Sequence, residues 1–181
     1  MIKYLPNSKP LYLTWIFFIF VFLMPAKLIC GIKCPFSRLE ASHPSSPVEF
    51  VTSFYGWVFS KASDVEQENL EPLESCFENS FYKNLIIKMS IKGEGEILED
   101  QFEYNPFFMA QDVPIGFKIH ESRKMRNDVV LVPVELFWEG KSSFLNILLI
   151  QENDEWKIVN VISEVHNLKK EVDKTARHNQ S

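Results

Sequence analysis

The apolar residues of this chain keep two different periods, and the switch between them limits the folds open to it. Val51, Phe54, Val58 and Ala62 follow helical spacing, with Tyr55 and Phe59 widening the stripe. Leu73, Phe77, Phe81 and Leu85 then repeat every four residues, with Met89 one turn on. From Phe117 onward the period is two. Phe117–Met125 is a strand candidate, Asp128–Trp138 sets Val130, Val132, Val134, Leu136 and Trp138 on one face, and Phe144–Gln151 and Glu155–Val165 follow. Glu139-Gly140-Lys141 and Asn153-Asp154 supply hairpin turns. Helices first and strands after predict an α+β domain, two or three amino-terminal helices packed on a four-stranded antiparallel sheet.

Local signals sharpen the boundaries. Ser46 followed by Pro47 and Glu49 predicts a capping box with proline at the first helical position. Gly56 weakens that helix by roughly 1 kcal/mol relative to alanine, and its bare backbone allows close packing against another element. The second helix is expected to start at Asn69, with Pro72 in its first turn, and to stop at Gly93 and Gly95. Glu96–Gly116 mixes Phe102, Tyr104, Phe107 and Phe108 with acids and prolines, and a segment so aromatic is expected to fold back against the core as a turn or short helix. In the third strand, Phe144, Leu148 and Ile150 are apolar on one face and Leu145, Ile147 and Leu149 on the other. A sheet with one wet face alternates more cleanly, so the second face needs the aromatic segment, the tail or a second subunit, and a homodimer is expected. Residues 167–181 are polar and are expected to fray.

The amino terminus reads as an export signal. Lys3 and Lys9 precede a run from Leu11 to Met24 that only Thr14 interrupts, and Pro25-Ala26 ends it. Residues 1–30 are therefore a secretory signal, or an uncleaved anchor if Leu28 and Ile29 extend the run toward the ~20 residues that a span needs. A lipidated cysteine is a third option, although Ile29 before Cys30 and Lys33 before Cys34 are not the small residues such signals use. Residues 31–46 form a Ser/Pro linker, and residues 47–166 form the folded domain. Removing the first thirty residues, with three lysines and no acid, takes the formal charge from −5 to −8. A chain so acidic repels phosphate backbones, which argues against a nucleic-acid partner. An oxidising compartment permits a bridge between Cys34 and Cys76. Alternatively Cys76 is a small buried hydrophobe beside a helical stripe, and the position of Cys34 in a linker favours that second reading.

The order of elements resembles the nuclear transport factor two-like superfamily. Glu155-Trp156-Lys157-Ile158-Val159-Asn160-Val161 looks like the closing strand of such domains. Asn105-Pro106-Phe107-Phe108-Met109-Ala110-Gln111-Asp112 and Phe54-Tyr55-Gly56-Trp57 look like segments of an exported bacterial branch of unknown function. The resemblance spans roughly residues 47–165 and implies a cone, a curved sheet wrapped around helices with a cavity at its wide end. It implies no reaction, because one fold hosts many functions.

Most chemistry is excluded by what the residues lack. His43, His120, His166 and His178 are scattered and no pair has helical spacing, so no metal or cofactor is expected. There is no nucleophile elbow and no glycine-rich phosphate loop. Enzymes of the resembled fold use a buried acid whose pKa burial raises. The candidates here are Asp112, Tyr55, Asp100 and Glu135, with Asp112 the foremost catalytic candidate. Each has a plainer role: Asp112 as a turn residue, Tyr55 as a core aromatic with a tethered hydroxyl, Glu135 as a solvated side chain. Tyr55, Trp57, Gln111, Asp112 and Trp138 are the candidate ligand-binding residues, and Phe107 and Phe108 could also line a pocket. The expected function is an exported, non-catalytic binding module of the periplasm or envelope that takes a protein or a small apolar ligand. The alternative is a small isomerase, dehydratase or hydrolase using Asp112.

Overall fold

In the computed structural model the described residues are 46–61, 70–91 and 102–178. The expected signal or anchor, the linker up to residue 45, Ala62, Asn69, Gly93, Gly95 and Asp100 lie outside them. Helix α1 runs Pro47–Ser60. Ser46 Oγ accepts from the Glu49 amide at 3.2 Å, and Glu49 Oε2 accepts from the Ser46 amide at 3.3 Å. Amides at a helix start have no intrahelical carbonyl within reach, which is why this spacing predicts the boundary. The helix buries Phe50, Val51, Phe54, Tyr55 and Val58. Gly56 is on the opposite side, where an added methyl would meet no atom within 4 Å, so none of the described residues uses the close approach that this glycine allows.

The second helical stretch is broken, against expectation. A 3₁₀ turn spans Glu71–Cys76, and helix α2 begins only at Asn79 and runs to Ser90. Between them Phe77 is extended, with φ −112° and ψ 154°. The cause is tertiary: Phe77 bridges Ile158 at the sheet edge, and the Glu78 amide donates to the Ile158 carbonyl at 2.9 Å. The Glu78 carboxylate then caps α2, accepting from the amides of Ser80 and Phe81 at 2.9 Å each. Leu73, Phe77, Phe81 and Leu85 are all buried, so their four-residue period marks one core face across the break.

Among the described residues the sheet has five antiparallel strands: β1 Gly116–Ile119, β2 Arg123–Lys124, β3 Val130–Trp138, β4 Lys141–Glu152 and β5 Glu155–Ile162. Their order is β1-β3-β4-β5, with β2 also paired to β3. The single strand expected over Phe117–Met125 is split in two. Ile119 pairs with Val134 and Arg123 with Leu131, so the gap lies opposite Pro133. The His120 amide donates to the Pro133 carbonyl at 3.0 Å, and proline has no N–H to return. Asn153 and Asp154, at φ 51° and 65°, make the tight turn between β4 and β5.

Val132, Val134, Leu136, Leu145, Ile147, Leu149, Ile158 and Val161 form the buried face of the sheet. Helix α1 lies against it, with the Tyr55 and Phe59 rings 5.8 and 4.9 Å from Phe117. Residues 168–178 do not fray as expected: Leu168–His178 is helix α3. Leu168, Val172 and Ala176 are buried on one face, and Asn84 of α2 donates to Asp173 of α3 at 2.8 Å. The start of α3 is pinned to β5, since Asn160 Oδ1 accepts from the Lys169 amide at 2.9 Å and Asn167 Oδ1 from the Lys170 amide at 3.1 Å. Cys76 is buried, but it is not the free small hydrophobe favoured above. It is disulfide-bonded, and the other cysteines, Cys30 and Cys34, lie outside the described residues. No helix among the described residues is long and apolar enough to cross a membrane.

Candidate functional site

Residues 104–112 form a tight ridge whose inner side belongs to the core and whose outer side faces solvent. Asn105 builds it. Its Oδ1 accepts from the amides of Phe107 and Phe108 at 2.9 and 3.3 Å, and its backbone pairs with Ala110. This is an Asx turn made by a residue type suited to it. Phe107 and Phe108 drop inward, with rings 5.4 Å from Phe54 and 5.1 Å from Phe59. The Tyr55 hydroxyl, fully buried, donates to the Phe107 carbonyl at 3.0 Å, and burial pushes that hydroxyl well above the ordinary phenol range, so it stays a donor. Met109 is left at φ 49°, a left-handed backbone that costs a non-glycine residue about 1–3 kcal/mol. Ala110, Gln111 and Asp112 are turned outward, followed by Val113 and Ile115, which are 47% and 77% exposed.

Two clefts flank this ridge and share Ala110 and Gln111. The smaller, about 300 Å³, is lined by Asp112, Trp138, Lys141, Ser142 and Ser143 as well. The Trp138 indole N–H donates to the Asp112 carbonyl at 3.2 Å, and the Lys141 ammonium lies 5.6 Å from the centre of the Trp138 rings. The larger cleft, about 420 Å³, lies between the ridge, α2 and α3, and its wall includes Lys88, Tyr104, His166, Glu171 and Lys174. There Glu171 accepts from the Tyr104 hydroxyl at 2.5 Å through Oε2, and from His166 Nδ1 at 3.2 Å through Oε1. An ionised carboxylate only accepts, so Nδ1 carries the proton and Nε2 is the free ring nitrogen. Partial burial, the bond to Glu171 and the charge of Glu171 all push the Tyr104 hydroxyl up. The Tyr104 and His166 rings pack with centres 4.5 Å apart.

Of the five ligand-binding candidates read from the sequence, Gln111, Asp112 and Trp138 line one cleft together. Tyr55 lies behind the ridge and supports it from within, and Trp57 is half-buried on α1 and lines neither cleft. Phe107 and Phe108 are core residues. The Asp112 side chain is exposed. Glu135 is not simply solvated: it is half-buried on the outer sheet face and pairs with His120 Nε2 at 3.0 Å. The space between helices and sheet holds packed aromatic and aliphatic side chains, and Tyr55 is the only titratable group at 0% exposure among the described residues. No group of three metal-ligating side chains occurs among the described residues. The Tyr104–Glu171–His166 cluster was not anticipated. Only the five-residue interval from His166 to Glu171 hints at it, and Tyr104 arrives from a distant segment.

No protein-family model matches the chain, and no curated protein sequence matches it. Its structure is similar to a chain of the type VI native effector-immunity complex Tae3-Tai3 from Ralstonia pickettii, with a TM-score of 0.53 and 19% identical residues, over 66% of this chain and 96% of that one. At that identity the likeness speaks for the fold, an α+β arrangement of helices on an antiparallel sheet.

Proposed function

We propose that this chain is an exported, non-catalytic interaction module of the periplasm or cell envelope, built on a cone-like scaffold of the nuclear transport factor two-like kind, and that the ridge over residues 104–112, with its two clefts and the stretch from Val113 to Ile115 that follows it, meets a protein partner. One observation carries the reading. Among the described residues, the interior between α1 and the sheet is filled by side chains such as Phe54, Tyr55, Phe107 and Leu136, all 0% exposed, rather than lined by carboxyl or imidazole groups. Recognition falls to the surface, where Val113 and Ile115 stand exposed beside two recesses. Exposed apolar side chains rimmed by polar ones mark partner surfaces. The likeness to a chain from an effector-immunity complex supports a protein rather than a small apolar molecule as the partner. Export rests on Lys3, Lys9 and the Leu11–Met24 run.

The enzyme reading built on Asp112 has less support. Its backbone carbonyl, not its carboxylate, is engaged by Trp138, and the side chain is exposed to water. A photo-crosslinking residue at Ile115 and, separately, at the exposed Thr52 position of α1 tests the proposal in cells that export the chain. A discrete protein adduct formed from position 115 and absent from position 52 is expected. Identical adduct patterns, or none from position 115, would overturn the assignment of the ridge. A second copy of the chain is proposed to meet the outer sheet face, where Phe144 is 52% exposed beside a groove of about 440 Å³ lined by His120, Arg123, Leu131 and Pro133.

A further inference from the structure

The inner face of the sheet changes character at the β3–β4 hairpin. Residues paired across antiparallel strands share a face, so Val134 with Leu145, Leu136 with Ser143 and Trp138 with Lys141 are successive rungs of one face. Val134, Leu145 and Leu136 are buried, whereas Trp138 is half-buried and Ser143 and Lys141 are exposed. This polar end of the face lines the smaller cleft, together with Ser142 and with Gln111 and Asp112 of the ridge. The Trp138 ring is held in place by its indole N–H, which donates to the Asp112 carbonyl at 3.2 Å. The Asp112 carboxylate, the Gln111 amide and the Ser142 and Ser143 hydroxyls make no side-chain hydrogen bond among the described residues, and Asp112 and Lys141 form no ion pair there. Lys141 is loosely placed, with its ammonium 5.6 Å from the centre of the Trp138 rings, close to the ~6 Å limit of such contacts.

We propose that the smaller cleft binds a neutral saccharide ring, laid against the Trp138 indole and hydrogen-bonded by Asp112, Gln111, Ser143 and Lys141. The indole face is slightly negative, and the C–H groups on one side of a sugar ring are slightly positive and equally flat. Sugar hydroxyls both donate and accept. The lining answers both, since a carboxylate accepts, an ammonium donates, and an amide or a hydroxyl does either. Hydrogen bonds to the charged pair are the strong ones. The opposite charges of Asp112 and Lys141 offset each other, so neither a free anion nor a free cation is favoured. A zwitterion would pair with both charges but would leave the indole face and the hydroxyls without a role. A recess of about 300 Å³ is at the small end of ligand sites, which suits a single ring rather than a long chain. The loosely placed Lys141 ammonium gives up the indole face and donates to the sugar instead. The inference goes beyond the protein-partner reading and does not rest on it.

The test is NMR on the disulfide-intact chain, titrated separately with glucose, galactose, mannose and N-acetylglucosamine, and with glycine and acetate as the zwitterion and the anion. Saturable shifts of the Trp138 indole N–H and the Gln111 side-chain amide are expected with at least one of the sugars, with a Kd on the order of 1 mM. Asp112→Ala should weaken that binding roughly tenfold. Glu139→Ala, an exposed change at the hairpin turn outside the cleft lining, should leave it unchanged. Trp138→Leu, which keeps apolar bulk but removes the flat face, should abolish it. If the leucine variant does not fold, Asp112→Ala decides the matter, because its side chain is exposed. The proposal is overturned if no sugar gives saturable shifts at Trp138 and Gln111, if glycine or acetate binds as tightly as the best sugar, or if Glu139→Ala weakens binding as much as Asp112→Ala. Crosslinking from Ile115 uses no sugar and these titrations use no partner, so either reading can fail without the other.

Discussion

Glu78 shows how one side chain fixes both a boundary and a pH response. Partial burial alone would raise its carboxyl, but the bonds from the Ser80 hydroxyl and from the amides of Ser80 and Phe81, together with the Lys169 charge, outweigh that and hold it below the ordinary carboxylate range. A carboxyl with a lowered folded-state pKa contributes stability above its unfolded pKa, and that contribution disappears as pH falls through the folded value. Glu78→Gln is therefore expected to cost about 0.5–1 kcal/mol at neutral pH, with the difference from the parent chain closing by about pH 2. Urea unfolding at the two pH values measures it. A gap that persists at the acidic pH would mean that shape rather than charge makes the cap. The Ser46 box, by contrast, was legible in advance, because all its partners lie within three positions of one another. The Tyr104–Glu171–His166 cluster was not, since its members meet only once the ridge and α3 are folded onto α2.

Helix α3 carries a lesson about elements. Leu168, Val172 and Ala176 fall at intervals of four, the spacing of a helical stripe, yet the polar residues between them suggest a fraying end. Taken alone a segment so short is marginal as a helix. Burial of Leu168 and Val172 at 0% exposure, and the caps from Asn160 and Asn167, supply what local preference lacks. Leu168→Ala should cost about 2–5 kcal/mol, and in thermal unfolding it should lower the midpoint of the whole domain in one transition. Separate melting of α3 with the remainder unchanged would show that the helix is an appendage. The break at Phe77 was illegible for the converse reason. Its helical period is intact, and only pairing with Ile158, from the last strand, draws it into extended form. The split of β1 from β2 is traceable to Pro133, but only after the register of three strands is known.

The disulfide at Cys76 concerns the molecule as a whole. Such bonds persist in oxidising compartments, which agrees with the exported destination proposed above. Loss of the bond should cost about 2–5 kcal/mol, so Cys76→Ser, or reductant added to the parent chain, should lower the unfolding midpoint by similar amounts. Equal midpoints with and without reductant would remove any structural role for the bond. The proposed contact between two copies through the outer sheet face has its own measurement. Sedimentation velocity at tens of micromolar should show a dimer that Phe144→Lys dissociates, and monomer alone in the parent chain would end that idea.

The break opposite Pro133 also bears on how copies of this protein avoid one another. On one border of the sheet, β1 and β2 are short, interrupted and carry Lys118, Arg123 and Lys124. At the other, Phe77 and Glu78 already occupy part of β5 through the bridge to Ile158. Neither border offers a long row of vacant backbone donors and acceptors to a neighbouring chain. A newly folded copy is thereby guarded against ribbon-like stacking into fibrils, and its encounters are steered toward side-chain recognition on its faces and clefts.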